Sequence, residues 1–153
     1  MEKNEVNIED VMGRLRPRRR VEGIAAALLP FEPDGRVAVV AFQEHLRATH
    51  AAGLTNAVNM DTGYVNLLGE GERREVLRWT REALGPGAPF VAGAYADDAP
   101  AGDLVSLYRR RMDEIAEAGG TPIIFQSVRM HALGAREKVS LYREVCRGYR
   151  EVL

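Results

Sequence analysis

A lysine amine becomes a nucleophile when an apolar setting desolvates it. This sequence has two lysines, Lys3 and Lys138. Lys3 stands in a polar preface. Lys138 follows Arg136 and Glu137 at the start of a helical pattern and is expected to face water. Neither setting would desolvate an amine, so any mechanism that needs a reactive lysine is not expected of these two. The histidines offer no more. His45 and His50 lie five apart on one helical stretch, which puts them on different faces. His131 follows a strand and reads as a solvated loop residue, with a place at a site mouth as the sharper reading. No His/Cys/carboxylate spacing suggests zinc, and Gly69-x-Gly71 alone is a weak phosphate signal. No metal and no cofactor is expected.

The remaining candidates sit between strands and helices. Thr62-Gly63 pairs a hydroxyl with a residue that lets a ligand approach backbone amides, which together satisfy a carboxylate. Read without further context, the same pair is a turn that caps a loop. Asp61 precedes it. Asp97-Asp98 could contact a substrate or a metal, but Asp-Asp-Ala-Pro is also ordinary loop chemistry. Ser127 and Arg129 share a loop, and Arg129 has the planar donor fork that pairs carboxylates. Tyr108, Tyr142 and Tyr149 fall on helical patterns and read as packing.

These residues need elements to position them. One pattern recurs four times: a short apolar strand, a loop and an amphipathic helix. The expected strands cover 23–29, 54–60, 89–94 and 121–126. The expected helices cover 37–52, 70–84, 102–118 and 135–153. Gly53, Gly85-Pro86-Gly87 and Gly119-Gly120 supply the helix stops. Residues 1–20 form an N-terminal extension, with Ile8, Val11, Met12 and Leu15 spaced for one helical face. The basic run Arg14 to Arg20 reads as a solvated connector broken at Pro17, rather than an anion-binding arm. Alternating strands and helices imply right-handed βαβ units and a parallel sheet. Two architectures satisfy that pattern. One is a doubly wound open sheet of flavodoxin type. The other is part of a (β/α)₈ barrel, which typically needs about 250 residues.

Several motifs in order favour the barrel. Leu28-Leu29-Pro30-Phe31 before Asp34-Gly35, Ala52-Gly53 closing the first helix, and Thr62-Gly63 leading into Leu68-Gly69-Glu70-Gly71-Glu72-Arg73-Arg74-Glu75-Val76 are followed by Phe90-Val91-Ala92-Gly93 and Ala116-Glu117-Ala118-Gly119. Together they resemble the amino-terminal half of the dihydrodipicolinate synthase/N-acetylneuraminate lyase family, over about residues 21–150. The resemblance implies an α/β fold made of the first four βα units of a TIM barrel, occupying 21–153. It implies an aldolase-type lyase acting on a pyruvate-like 2-oxo acid. Thr62 and Gly63, with Asp61 at a position where the family carries a hydroxyl, would hold the substrate carboxylate, and Ser127 and Arg129 are further candidates. The family's Schiff-base lysine lies at the end of a sixth strand, which four units do not contain. The expectation is therefore the front part of such an enzyme, truncated before its catalytic lysine. The alternative is a non-catalytic half-barrel that binds or scaffolds, most simply as a dimer, and a homo-oligomer is expected in either case. Departures from the family pattern are Met60 and Tyr64 in place of glycine and glutamate, Leu29 in place of threonine, and Phe125-Gln126-Ser127 in place of a tyrosine pair.

Composition narrows the partners. Formal net charge is −1, so nothing drives binding to nucleic acid or an anionic membrane. The longest apolar run, 24–29, is too short to span a bilayer. Met1 to Asp10 lacks the layout of a secretory signal, and one cysteine cannot build a disulfide framework. A cytoplasmic setting fits.

Overall fold

The computed structural model describes residues 8–13, 15, 18, 21–98 and 102–153. Lys3, Pro17 and most of the basic run lie outside these residues, as does the Ala99-Pro100 end of the third loop. Element order is α1 (Ile8–Gly13), β1 (Ile24–Ala26), α2 (Val39–Ala51), β2 (Thr55–Val58), a 3₁₀ turn (Asp61–Gly63), α3 (Glu70–Leu84), β3 (Phe90–Ala94), α4 (Leu104–Glu117), β4 (Thr121–Ile124), α5 (Val128–His131) and α6 (Ala135–Val145). Ile8, Met12 and Leu15 are exposed, so these three do not join the core.

The four strands pair in parallel in the order β1-β2-β3-β4. This order separates the two candidate architectures. A right-handed crossover that always steps the same way places every helix on the same face of the sheet. A doubly wound sheet must reverse direction at a switch point, and none occurs here. The winding is that of a barrel, and the chain forms half of one.

Sheet register assigns the two faces, since alternate residues point to opposite sides. Ala27, Val58, Phe90, Ala92 and Ala94 join Phe42, Leu46, Val76, Leu77, Tyr108, Met112 and Ile115 of the helices in one core. The other face carries Ile24, Ala26, Leu28, Ala57, Val91, Gly93 and Ile123. No helix among the described residues covers it, and Ile24 and Leu28 are 49% and 59% exposed. Gly93 on that face is required by contact. A Cβ there would fall 2.2 Å from the Asn59 carbonyl oxygen and 2.5 Å from the Phe125 ring.

Boundaries differ from expectation for identifiable reasons. Helix α2 starts at Val39 rather than 37, because Val37 bridges Phe31 and the Ala38 amide donates to the Pro30 carbonyl across the Asp34-Gly35 turn. Strand β2 stops at Val58, where Asn59 takes a φ of 51°. The segment after β4, read as loop, contains α5 with Ser127 as its cap. Helix α6 ends at Val145, not at 153. Arg109 donates to the carbonyls of Glu144 and Arg147, and Gly148 turns the chain at a φ of 92°. Tyr149, expected on the helix, lies past it, with Arg109 over its ring and its hydroxyl donating to Asp113. The last residue then runs beside β4. The Leu153 amide donates to Pro122 and the Ile124 amide donates to Leu153, at 2.9 and 3.0 Å. That alternation is the hydrogen-bond pattern of a parallel ladder.

At the end where the strands begin, Arg81 ties the layers together. Its guanidinium donates to the carbonyls of Gly85, Ala88, Ala118 and Gly119, at 2.7–3.1 Å, and stacks on Phe90 with 4.9 Å to the ring centre. It satisfies the ends of two helices at once. Arg81→Ala is expected to lower the unfolding free energy by about 2 kcal/mol. Arg81→Lys should recover little, because one ammonium cannot reach four carbonyls in a plane. Urea denaturation midpoints check this, and an unchanged midpoint for the alanine variant would refute the tie.

Candidate active site

The carboxyl ends of the strands form the other end of the half-barrel, where barrel enzymes place their chemistry. After β2 the chain folds at once into the Asp61–Gly63 turn, closed by Tyr64 in the left-handed region. The Thr62 hydroxyl donates to the Ala27 carbonyl at the end of β1 (3.0 Å), so it fastens one strand end to the next. The amides of Gly63 and Val65 donate to the Met60 carbonyl, and that of Tyr64 to the Asp61 carbonyl. Gly63 is buried against β1, where a Cβ would lie 3.6 Å from the Ala27 oxygen. The Tyr64 ring packs on Phe31 at 5.8 Å between centres.

The loop after β3 is held by charge. Arg73 on α3 and Arg111 on α4 have side chains only 6% and 5% exposed, and both point at Oδ2 of Asp98. Arg73 also donates to the Leu68 carbonyl (2.5 Å). Arg111 pairs with Glu70 (2.8 Å) and lies 3.6 Å from Glu114. Buried guanidinium groups survive only when paired, so Asp98 is the counter-ion that lets two arginines occupy the apolar layer. Asp97 beside it accepts from the Val128 amide at the start of α5. This role for the aspartate pair is structural, in line with the plainer of the two sequence readings.

Ser127 is buried. Its Oγ accepts from the Met130 amide, and its own amide donates to the Tyr108 hydroxyl, which in turn donates to the Phe125 carbonyl. Arg129 donates to the Gly102 carbonyl (2.5 Å). Both side chains therefore hold α5 and the β3 loop in place. His131 is exposed at the end of α5. Lys138 lies in the first turns of α6, and His45 and His50 lie on α2, away from this end. A cleft of about 440 Å³ opens at the opposite end, among Val21, Glu22, His50, Leu54 and Pro89, where the strands begin. We place no chemistry there, because that end of a barrel serves stability.

Sequence reading missed Arg73, Arg111 and Tyr95. A signal existed for the arginines. Arg73 is in phase with Val76, Leu77 and Thr80, and Arg111 with Leu107, Tyr108, Met112 and Ile115, on the buried faces of their helices. A charge inside an apolar stripe announces a buried pair. Tyr95, just past β3, sits under the Arg73 guanidinium at 5.6 Å and against Phe125 at 6.5 Å.

No sequence-family model and no curated protein matches the chain. Solved structures do match, and they define the class: the fold is that of half a (β/α)₈ barrel, like those of dihydrodipicolinate synthases. The dihydrodipicolinate synthase of Thermotoga maritima superposes with a TM-score of 0.71 at 13% identity, over 86% of this chain and 43% of that one. The N-acetylneuraminate lyase of Mycoplasma synoviae gives 0.68 at 15% identity, over 86% and 45%. The dihydrodipicolinate synthase of Bacillus clausii gives 0.66 at 19% identity, over 82% and 40%. The chain thus spans less than half the length of these neighbours, and at such identities the likeness establishes the fold. Among the described residues no helix is long and apolar enough to cross a membrane.

Two outcomes test this electrostatic frame. Asp98→Ala leaves buried Arg73 without its carboxylate partner, while Arg111 keeps Glu70, and should cost about 3 kcal/mol of stability in urea unfolding. An effect below experimental error would show that the arginines do not need it. The hydrogen bond from Arg111, aided by its charge and those of Arg74 and Arg110, holds the Glu70 carboxyl below its ordinary 4.5. Its contribution is fully present above pH 4.5 and is lost as pH falls below that value toward the depressed one. Glu70→Gln should therefore flatten that stretch of the acid-stability curve, and parallel curves for wild type and variant would exclude the pair as its cause.

Proposed function

We propose that this chain is the carboxylate-binding half of a Schiff-base lyase or aldolase acting on a pyruvate-like 2-oxo acid, with the reactive lysine supplied from outside these four units. The observation that carries the reading is the Asp61–Gly63 turn, seated at the carboxyl end of β2 and tied by Thr62 to the end of β1. The likeness of the fold to structures named dihydrodipicolinate synthase and N-acetylneuraminate lyase supports it.

The physical assignment is specific. The amides that open a helical turn have no partner within it, so those of Asp61 and Thr62 are the donors a carboxylate would meet. The Thr62 hydroxyl sets the turn's position through Ala27. Gly63 packs the turn closely against β1. Asp61 acts against the ligand, since its own charge repels a second carboxylate. In the complete reaction a lysine amine would add to the ketone, lose water and leave an iminium that accepts the electron pair of the breaking bond. This chain's share is to bind and orient.

A second reading is a non-catalytic half-barrel that pairs with another copy. The exposure of Ile24 and Leu28 on the uncovered sheet face favours it.

Pyruvate titration followed by saturation-transfer NMR tests the first reading. Wild type should bind in the millimolar range or tighter. Thr62→Val should weaken binding about tenfold by freeing the turn. Asp61→Asn should strengthen it several-fold by removing the repulsion. A folded wild type that shows no saturable signal at 20-fold excess over about 1 mM pyruvate (the weak end of ordinary affinity) and sediments as a dimer would replace it with the second reading.

A further inference from the structure

Tyr95 is positioned with more care than packing requires. It follows Ala94, the last residue of β3, and so turns to the sheet face that no helix covers. The β2–β3 ladder ends at Val58 and Ala92, and Asp61 in the turn that follows lies near enough for its charge to act on the Tyr95 phenol. Its ring is clamped from two directions. The Arg73 guanidinium lies over it at 5.6 Å, and Phe125 meets it at 6.5 Å and 74°, an edge-to-face contact. Arg73 is itself immobilised by Leu68 and Asp98.

The hydroxyl is treated differently from the ring. Tyr108 and Tyr149 both spend theirs on backbone carbonyls. The Tyr95 hydroxyl has no hydrogen-bond partner among the described residues, although the side chain is partly buried. A ring held on the interior face at the carboxyl end of a barrel strand, where barrel enzymes place their chemistry, leaves this hydroxyl open to a ligand. Burial, then the charges of Asp97, Asp98 and Asp61, push this phenol above its ordinary 10.0, which keeps it protonated and a donor at neutral pH. A 2-oxo acid offers only acceptor oxygens.

We propose that Tyr95 is a substrate-contacting residue that donates a hydrogen bond to an oxygen of the bound 2-oxo acid, with Arg73 as the positioning residue that holds its ring. The inference rests on the 2-oxo acid reading above. Sequence offers no hint of it, because Tyr95 falls at a strand end with no motif around it.

The test is pyruvate titration of wild type and Tyr95→Phe, with thermal unfolding of both. Phenylalanine keeps the ring between Arg73 and Phe125, so the melting temperature should hold. The variant's Kd should rise at least fivefold. A second readout uses ¹³C-tyrosine-labelled wild type. The signal that vanishes in Tyr95→Phe is that of Tyr95, and it should shift saturably with pyruvate at the same Kd. Saturable pyruvate binding with an unmoved Tyr95 signal and an unchanged Kd in the variant overturns this inference and leaves the 2-oxo acid reading standing. A folded wild type that binds no pyruvate overturns both.

Discussion

A parallel sheet must bury both of its faces, and this chain covers one. Every other feature follows from that constraint. The right-handed crossovers stack α2, α3, α4 and α6 on a single side, where Phe42, Leu46, Val76, Tyr108 and Met112 close over Val58, Phe90 and Ala92. The opposite side is the wall of a barrel interior. Its residues are small where strands crowd, as at Ala57 and Gly93, and apolar where they do not, as at Ile24 and Leu28. At the edge of the sheet Leu153 pairs with Pro122 and Ile124 in the parallel pattern.

The two ends of the half-barrel solve their electrostatics differently. At the start of the strands, Arg81 meets only carbonyl oxygens and serves as a fixed cap. At the carboxyl ends, Arg73 and Arg111 are driven into the apolar layer and share Asp98. That arrangement makes the loop after β3 part of the core rather than a loose connector. The loop after β4 is fixed in turn, through Asp97 on the Val128 amide and Ser127 on that of Met130. Rigid loops of this type are what a binding site needs, because a ligand then pays little to order them. The turn after β2 is fixed by one hydroxyl, that of Thr62.

Residue types in order were enough to read the βα alternation, and the ordered family motifs pointed to the half-barrel. Apolar strands, amphipathic helices and glycine stops are local signals, and hydrophobic periodicity carries them. Element ends were less legible. Helix α6 stops at Val145 because Arg109, on another helix, takes its terminal carbonyls, and α2 starts late because Val37 pairs back to Phe31.

Sequence by itself determined that four βα units would form one parallel sheet. Tertiary structure alone decided that Asp98 answers two buried arginines and that Tyr95 is held between Arg73 and Phe125. The physical reason is distance along the chain. Thr62 bonds a carbonyl 35 residues away and Arg73 a carboxylate 25 residues away. Spacing within a motif says nothing about partners that only the winding of the sheet brings together.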